Sequence, residues 1–254
     1  MELISVTKEN LEKEHICCAI SNNKDCQVIS KKAWMEQRFD EGLVFLKANV
    51  RGKCFIEYVP AEYAWTPIEA DNYMYINCLW VSGQFKGQGY SNLLLEECMK
   101  DAKEKGKKGV VILSSKKKMG FLSDYKYLVY KGFEEVDFVE PYFVLMCMSF
   151  DQTAKKPQFK EVLKSKEKKS EKKDGFVLYY TSQCPFTAKY VPLLKQIADE
   201  RNVKMETIHI KTAVDAKNVP SPFTTFALFY NGEFITHEIL SEKKFEMLLE
   251  SKGY

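Results

Sequence analysis

The stretch Tyr73-Met-Tyr-Ile-Asn-Cys-Leu-Trp-Val81 limits what this chain can fold into more than any other. All of it except Asn77 is apolar or aromatic, without a period of two, which is the pattern of a strand covered on both faces. A glycine-bearing turn, Lys86-Gly87-Gln88-Gly89-Tyr90-Ser91, comes next. The segment Ser91–Lys105 then carries Leu94, Leu95, Cys98 and Ala102 at helical spacing, with lysines near its end that suit the helix dipole. A buried strand leading through glycines into a helix is also a device for holding anions. Gly87 and Gly89 let the backbone approach a ligand closely. The unpaired N–H groups of the first helical turn would face an anion, with the dipole in support. Lys86 adds a charge at the rim. Two glycines before a helix equally describe an ordinary tight turn.

The rest of the chain builds a mixed α/β order around this unit. Strands are expected at Leu3–Val6, Leu43–Val50, Lys53–Pro60, Val110–Ser114 and Pro141–Phe150. Helices are expected at Lys31–Phe39 and around Ser123–Tyr130, the latter stopped by Gly132. At 254 residues there is room for two domains. The stretch 155–174 holds nine lysines against four acids and almost no large apolar side chains. It reads as a solvated linker or exposed helix, with a polyanion-binding patch as the alternative. The expected division is a first domain over 1–152, a lysine-rich linker over 153–174 and a second domain over 175–254.

Net charge is only +3, so no nucleic-acid partner is expected. No segment approaches the roughly 18 apolar residues of a membrane span, and the N-terminus does not resemble a signal peptide. The expected location is the cytoplasm. Cysteines stand at 17, 18, 26, 54, 78, 98, 147 and 184. Several lie inside apolar runs, where a thiol packs as a small hydrophobe, so most are expected to be free. His15 with Cys17, Cys18 and Cys26 invites a metal reading. Adjacent cysteines do not readily ligate one ion, and no second Cys-x-x-Cys pair exists, so no metal is expected.

The passage Leu79-Trp-Val-Ser-Gly-Gln-Phe-Lys-Gly-Gln-Gly-Tyr-Ser-Asn-Leu-Leu-Leu95 resembles the acetyl-CoA-binding segment of the GCN5-related N-acetyltransferases. That family's pattern is Arg/Gln-x-x-Gly-x-Gly/Ala, five residues beyond a valine in the preceding strand. Counting from Val81 puts Lys86, Gly89 and Ser91 on the pattern, with lysine and serine as departures. The register Gln84-x-x-Gly87-x-Gly89 fits the letters and breaks the spacing. A second likeness, Tyr127-Leu-Val-Tyr-Lys-Gly-Phe-Glu-Glu-Val-Asp137, is a helix ending in Gly-Phe before a strand. Together they cover roughly residues 1–150. The resemblance implies a mixed central sheet flanked by helices, with acetyl-CoA as co-substrate. It makes the amides of Gly87, Gln88, Gly89, Tyr90 and Ser91 the pyrophosphate cradle, with Lys86 beside them. Leu79 and Val81 would offer backbone to the pantetheine arm, and an amine would attack the thioester directly in a ternary complex. The acceptor would be a small-molecule or peptide amine.

Many members carry a basic carboxylate early in the strand before the loop. Counting back from Lys86, that position is Tyr75. Glu57, Glu62, Glu69 and Asp71 are nearby carboxylates that could substitute, each more readily read as a surface group than as a base, and Glu62 stands with Tyr75 as a catalytic candidate. The tyrosine that acts as general acid in many members falls on Leu128. Tyr127 and Tyr130 flank it, and a phenol with pKa near 10 suits protonation of a thiolate. Simple packing against the sheet is the other reading of both. The segment Glu57–Ile68, with Trp65 and two prolines, is either a stiff aromatic wall over the acceptor or plain packing.

Beyond the lysines, Phe176–Thr181 and Val203–Ile210 read as strands around a helix that ends near Arg201. Phe226–Tyr230 and Glu233–His237 form a hairpin at Asn231-Gly232, and Glu242–Glu250 is a closing helix. This order resembles a smaller thioredoxin-like domain, with Cys184 at the first-helix entrance and Pro192 within that helix. Thr187 replaces the second cysteine and Thr224 the usual cis-proline, which argues against dithiol chemistry. The combination resembles bacterial proteins with a YoaP-like C-terminal domain. A second functional reading is therefore a monothiol redox or partner-binding protein working through Cys184, its pKa lowered at the helix N-terminus, beside an acetyl-CoA-sensing first domain.

Overall fold

A computed structural model describes residues 2–16, 18, 22–164 and 174–254. In chain order it has β1 (Leu3–Val6), α1 (Cys26–Phe39), β2 (Val44–Ala48), β3 (Cys54–Pro60), β4 (Ile68–Glu69), β5 (Met74–Val81), α2 (Tyr90–Glu104), β6 (Gly109–Ser115), β7 (Ser123–Asp124) and α3 (Tyr125–Tyr130). There follow β8 (Glu134–Val139), β9 (Phe143–Ser149), β10 (Gln158–Phe159), α4 (Glu161–Lys164), β11 (Phe176–Tyr180), α5 (Pro185–Glu200), β12 (Met205–His209), α6 (Ala213–Ala216), β13 (Phe226–Tyr230), β14 (Glu233–Thr236) and α7 (Glu242–Ser251). α1 starts earlier than its expected Lys31. Val28 continues the buried stripe through Trp34 and Met35, but the buried Lys31 and Lys32 hide that stripe from a hydrophobic count.

The larger sheet has the order β1-β2-β3-β5-β6-β9-β8, with β7 paired to β6. It is antiparallel except at β5–β6 and β6–β7. Strand β6 shows why it needs cover on both faces. Val110 and Ile112 pack with Leu94, Leu95 and Cys98 of α2, while Val111 and Leu113 pack in the opposite cluster with Trp34 and Met35 of α1. The face of α2 that the spacing selects, Leu94, Leu95, Cys98 and Ala102, is the buried one.

The smaller sheet has the order β12-β11-β13-β14, with β11 parallel to β12 and antiparallel to β13. Its hairpin turns through Asn231 (φ 49°) and Gly232 (φ 81°), the left-handed pair that an Asn-Gly turn supplies. One face carries α5 and α7 over Phe176, Leu178 and Phe226. The other side closes on the larger sheet. Ile210, Ala216 and Val219 join its core, and Phe234 meets Phe143 edge-on at 5.9 Å.

Part of the lysine-rich stretch is packed rather than solvated. Phe159 is fully buried and pairs with Ile68, and its N–H donates to Asp137 Oδ2 at 2.7 Å. Lys164 bridges to the same carboxylate at 2.8 Å. One aromatic side chain and a short ladder anchor what composition alone reads as solvent-facing. Residues 165–173 of that stretch lie outside the described residues.

Candidate active site

A β-bulge organises the site. The register of β3 on β5 shifts between Glu57 and Tyr58: Tyr58 opposes Ile76 and Glu57 opposes Cys78, so Asn77 is the additional residue. A bulge re-aims side chains and ends regular pairing. Here it puts Asn77 and Cys78 on the wall of one cavity together with Glu57. The Asn77 Nδ2 donates to Glu57 Oε1 at 3.1 Å. The parallel ladder with β6 reaches only from Met74 to Ile76. Beyond it β5 and β6 part, and a cleft of ≈ 350 Å³ opens between Asn77–Trp80 and Ile112–Leu113, closed by Phe121–Ser123. Leu79 and Val81 turn their side chains toward the α2 cluster.

The strand leads into the glycine turn. Gly87 and Gly89 have φ of 76° and 83°, which favour glycine, and Gly89 is the N-cap of α2. A Cβ at residue 87 would meet nothing within 4 Å, so the glycine there answers to backbone angle and not to crowding. Among the described residues, no acceptor is bonded to the N–H groups of Gly87, Gln88, Gly89, Tyr90 or Ser91. Five amides and the positive end of a 15-residue helix thus converge on an exposed loop. Phe85 braces it edge-on against Tyr90 at 6.0 Å. Lys86 is exposed at its rim.

The expected catalytic residues separate. Tyr127 is half-buried and its hydroxyl donates to Asn92 Oδ1 at 3.3 Å, in the first turn of α2. Burial raises its pKa, partly offset by a hydrogen bond with Ser91. Tyr130 is 82% exposed and turned away, because Leu128 between them fills the core. Tyr75 is buried against Thr66, whose Oγ1 lies 3.0 Å from its hydroxyl. Burial pushes its pKa up, so the phenol stays protonated and is not a base. Glu62 belongs to a different neighbourhood. Its carboxylate accepts Asn72 N–H at 2.8 Å and Lys107 Nζ at 3.2 Å. Burial pushes that carboxyl up, but its own backbone N–H, that of Asn72 and the Lys107 ammonium outweigh this, and its pKa is lowered. Glu62 ties loop to loop and lines neither void at the bulge. Trp65 is likewise core, edge-on to Trp34 at 5.7 Å, so the aromatic loop is packing and not a wall of the site.

The sequence offers Glu57 only as one of four nearby carboxylates and gives Lys31 no role in the site. Glu57 is 1% exposed, its Oε2 held by the ammonium of Lys31 from α1. A carboxylate at strand parity with Phe55 and Val59, both core, is the signal that could have found it. The cavity it lines has an empty volume of ≈ 650 Å³ and mostly aromatic and aliphatic walls. Residues Gln183–Phe186 at the head of α5, with Phe223 and Thr225, form its far side. Cys184 is among them, and its thiol behaves opposite to expectation. Burial pushes its pKa up to about 11, against the lowering effect of the Phe186 N–H and the nearby Lys31. It is a protonated thiol near neutral pH, and thiolate redox chemistry finds no support. Thr187 is buried and donates to the Thr181 and Cys184 carbonyls at 2.7 and 2.8 Å. Of the cysteines considered for a metal, Cys17 lies outside the described residues and Cys26 is exposed at the start of α1.

Residues 8–121 match the Acetyltransferase (GNAT) family and residues 205–247 the YoaP-like family. The chain is 43% identical over 249 residues, 98% of each protein, to the uncharacterized N-acetyltransferase YoaP of Bacillus subtilis strain 168. Among solved structures, an acetyltransferase of the GNAT family from Staphylococcus aureus Mu50 is similar with a TM-score of 0.41 and 14% identity, over 59% of this chain and 99% of that one. A GNAT family acetyltransferase from Brucella melitensis, in complex with acetyl-CoA, gives 0.37 and 15%, over 63% and 92%.

Proposed function

This chain belongs to the acetyltransferase (GNAT) family and is an N-acetyltransferase that draws on acetyl-CoA, and we propose that Gly87–Ser91 hold the pyrophosphate and the cleft beside Asn77–Val81 the pantetheine arm. The observation that carries this reading is the junction itself: a strand that loses its partner at Ile76 runs into five unengaged amides at the head of α2. Gly87 leaves space for close approach, Lys86 adds positive charge, and the unpaired edge of β5 offers backbone donors and acceptors to an amide-bearing chain. The thioester supplies an electrophilic carbonyl. The chain supplies position, exclusion of water and a protonated phenol, Tyr127, beside the first turn of α2. The acceptor is a small-molecule or peptide amine. Residues 175–254, whose strand order supports a thioredoxin-like reading, act as a cover for the acceptor side and not as a redox centre.

The test is calorimetric titration with acetyl-CoA of the wild-type chain and of Gly89→Val. A Cβ at φ 83° is strained, so the variant should bind at least ~10-fold more weakly while its far-ultraviolet spectrum is kept. Equal affinity in the two proteins would remove the loop from the site.

A further inference from the structure

We propose that the cavity between the two sheets is the acceptor site, that it takes a small primary amine with a compact apolar or aromatic body, and that Glu57 receives the ammonium and removes its proton. The proposal rests on the assignment of the neighbouring cleft to the acetyl donor. The two voids adjoin: Asn77, Cys78, Trp80, Phe121 and Phe223 line both. A nitrogen held against Asn77 and Cys78 therefore lies beside the strand edge that borders the cleft.

The body of the acceptor follows from the walls. Phe45, Phe55, Trp80, Phe121, Phe186 and Phe223 surround the space, with Trp80 and Phe121 at 6.2 Å. The space between these rings is narrow and suits a compact ligand. The head of α5, with Phe223 and Thr225, walls it on the side of the second sheet. A polyamine or aminosugar would leave several charged or hydroxyl groups against aromatic rings without partners.

The charge of the acceptor follows from Glu57. Its side chain is 2% exposed and that of Lys31 4%. A buried ion pair is weak evidence for stability, since apolar residues of similar volume would often serve as well. This one stands on the wall of a cavity. Among the described residues each carboxylate oxygen has one donor, Asn77 Nδ2 on Oε1 and Lys31 Nζ on Oε2, and a carboxylate has about four acceptor sites. Capacity is left for an entering ammonium, and the Lys31 ammonium has the Trp34 ring at 4.3 Å as a second partner when it shares the carboxylate. Among the described residues, the other ionisable groups on the cavity are Lys53, which lies 5.7 Å from the Phe186 ring, and the thiols of Cys18, Cys78 and Cys184.

The step balances. The ammonium gives one proton to Glu57, and the freed nitrogen pair forms the N–C bond to the acetyl carbon. The C–S bond breaks with its electrons on sulfur, and the thiolate takes a proton from the Tyr127 phenol. The second proton leaves the now amide-bound nitrogen through water to the Tyr127 phenoxide, and Glu57 releases its proton to solvent, so one proton is liberated per turnover.

The experiment is a CoA-release assay on the full chain with 2-phenylethylamine and isoamylamine, against spermidine, kanamycin and an alanine-starting hexapeptide. The apolar amines should show kcat/KM at least ~10-fold higher than the others. Preference for a polyamine, aminoglycoside or peptide overturns the proposal. So does acetyl-CoA binding by calorimetry without turnover of either apolar amine. Absence of acetyl-CoA binding to the wild-type chain instead overturns the cleft assignment beneath it. Glu57→Gln should lower kcat about 100-fold with acetyl-CoA affinity within about twofold, and should abolish the acidic limb of the kcat/KM profile. Because that change strands Lys31, the Lys31→Met/Glu57→Gln pair provides a neutral wall for the same readings. Wild-type rates, or an unchanged acidic limb, in that folded double variant exclude Glu57 as the base.

Discussion

Tyr127 and Tyr130 lie three residues apart on one short helix, and burial separates them. Leu128 occupies the core, and the turn of the helix sends Tyr127 toward Asn92 and leaves Tyr130 in solvent. Tyr127→Phe should lower kcat by roughly 100-fold with little change in acetyl-CoA affinity, as loss of a general acid does, whereas Tyr130→Phe should stay within about twofold in the same steady-state assay. Both tyrosines were legible as candidates from the Gly-Phe helix, but the choice between them needed the buried face of α3. Glu57 was less legible. Its neighbours in the alternation, Phe55 and Val59, mark an inward position, yet the bulge that brings Asn77 to it has no sequence signature beyond one polar residue in an apolar run. Local propensity does not encode an irregularity that is settled by how two strands pair.

Elements were more legible than residues. The strand Met74–Val81, the glycine turn and α2 follow directly from periodicity, because each buries a large regular surface. The short pair β4 and β10 did not, since two residues carry no period. Composition also misleads there: lysines surround Phe159, and a single buried ring decides where that segment lies. Phe159→Ala should cost about 3–5 kcal/mol, a fall in Tm of roughly 10 °C in a thermal melt, whereas exchanging Lys156, exposed at the surface, for alanine should leave Tm within about 1 °C. A result the other way round would return the segment to the solvated linker that its charge suggests.

The two sheets meet across the site, and His237 is the polar centre of that contact. It is fully buried, with Nε2 donating to the Gly120 carbonyl at 2.6 Å and Nδ1 accepting the Tyr142 hydroxyl at 2.6 Å. Gly120 N–H also donates to Glu238 at 3.0 Å. Burial lowers the His237 pKa, although the Gly120 carbonyl and the Glu238 carboxylate oppose that shift. A histidine held neutral in the folded state contributes stability that is complete above its unfolded value of about 6.5 and is lost as pH falls from there toward the lowered folded value. Tm should therefore decline more steeply below pH 6.5 in the wild-type chain than in His237→Gln, as a calorimetric pH series would show. The same contact fixes Phe121, the next residue after Gly120 and a wall of both voids, facing Trp80. Of the three tryptophans, Trp34 and Trp65 are buried against each other, leaving Trp80 alone at the crossing of donor and acceptor spaces. The molecule thus carries its own optical reporter: filling either void should change ultraviolet emission chiefly at the Trp80 indole, without any dye or label.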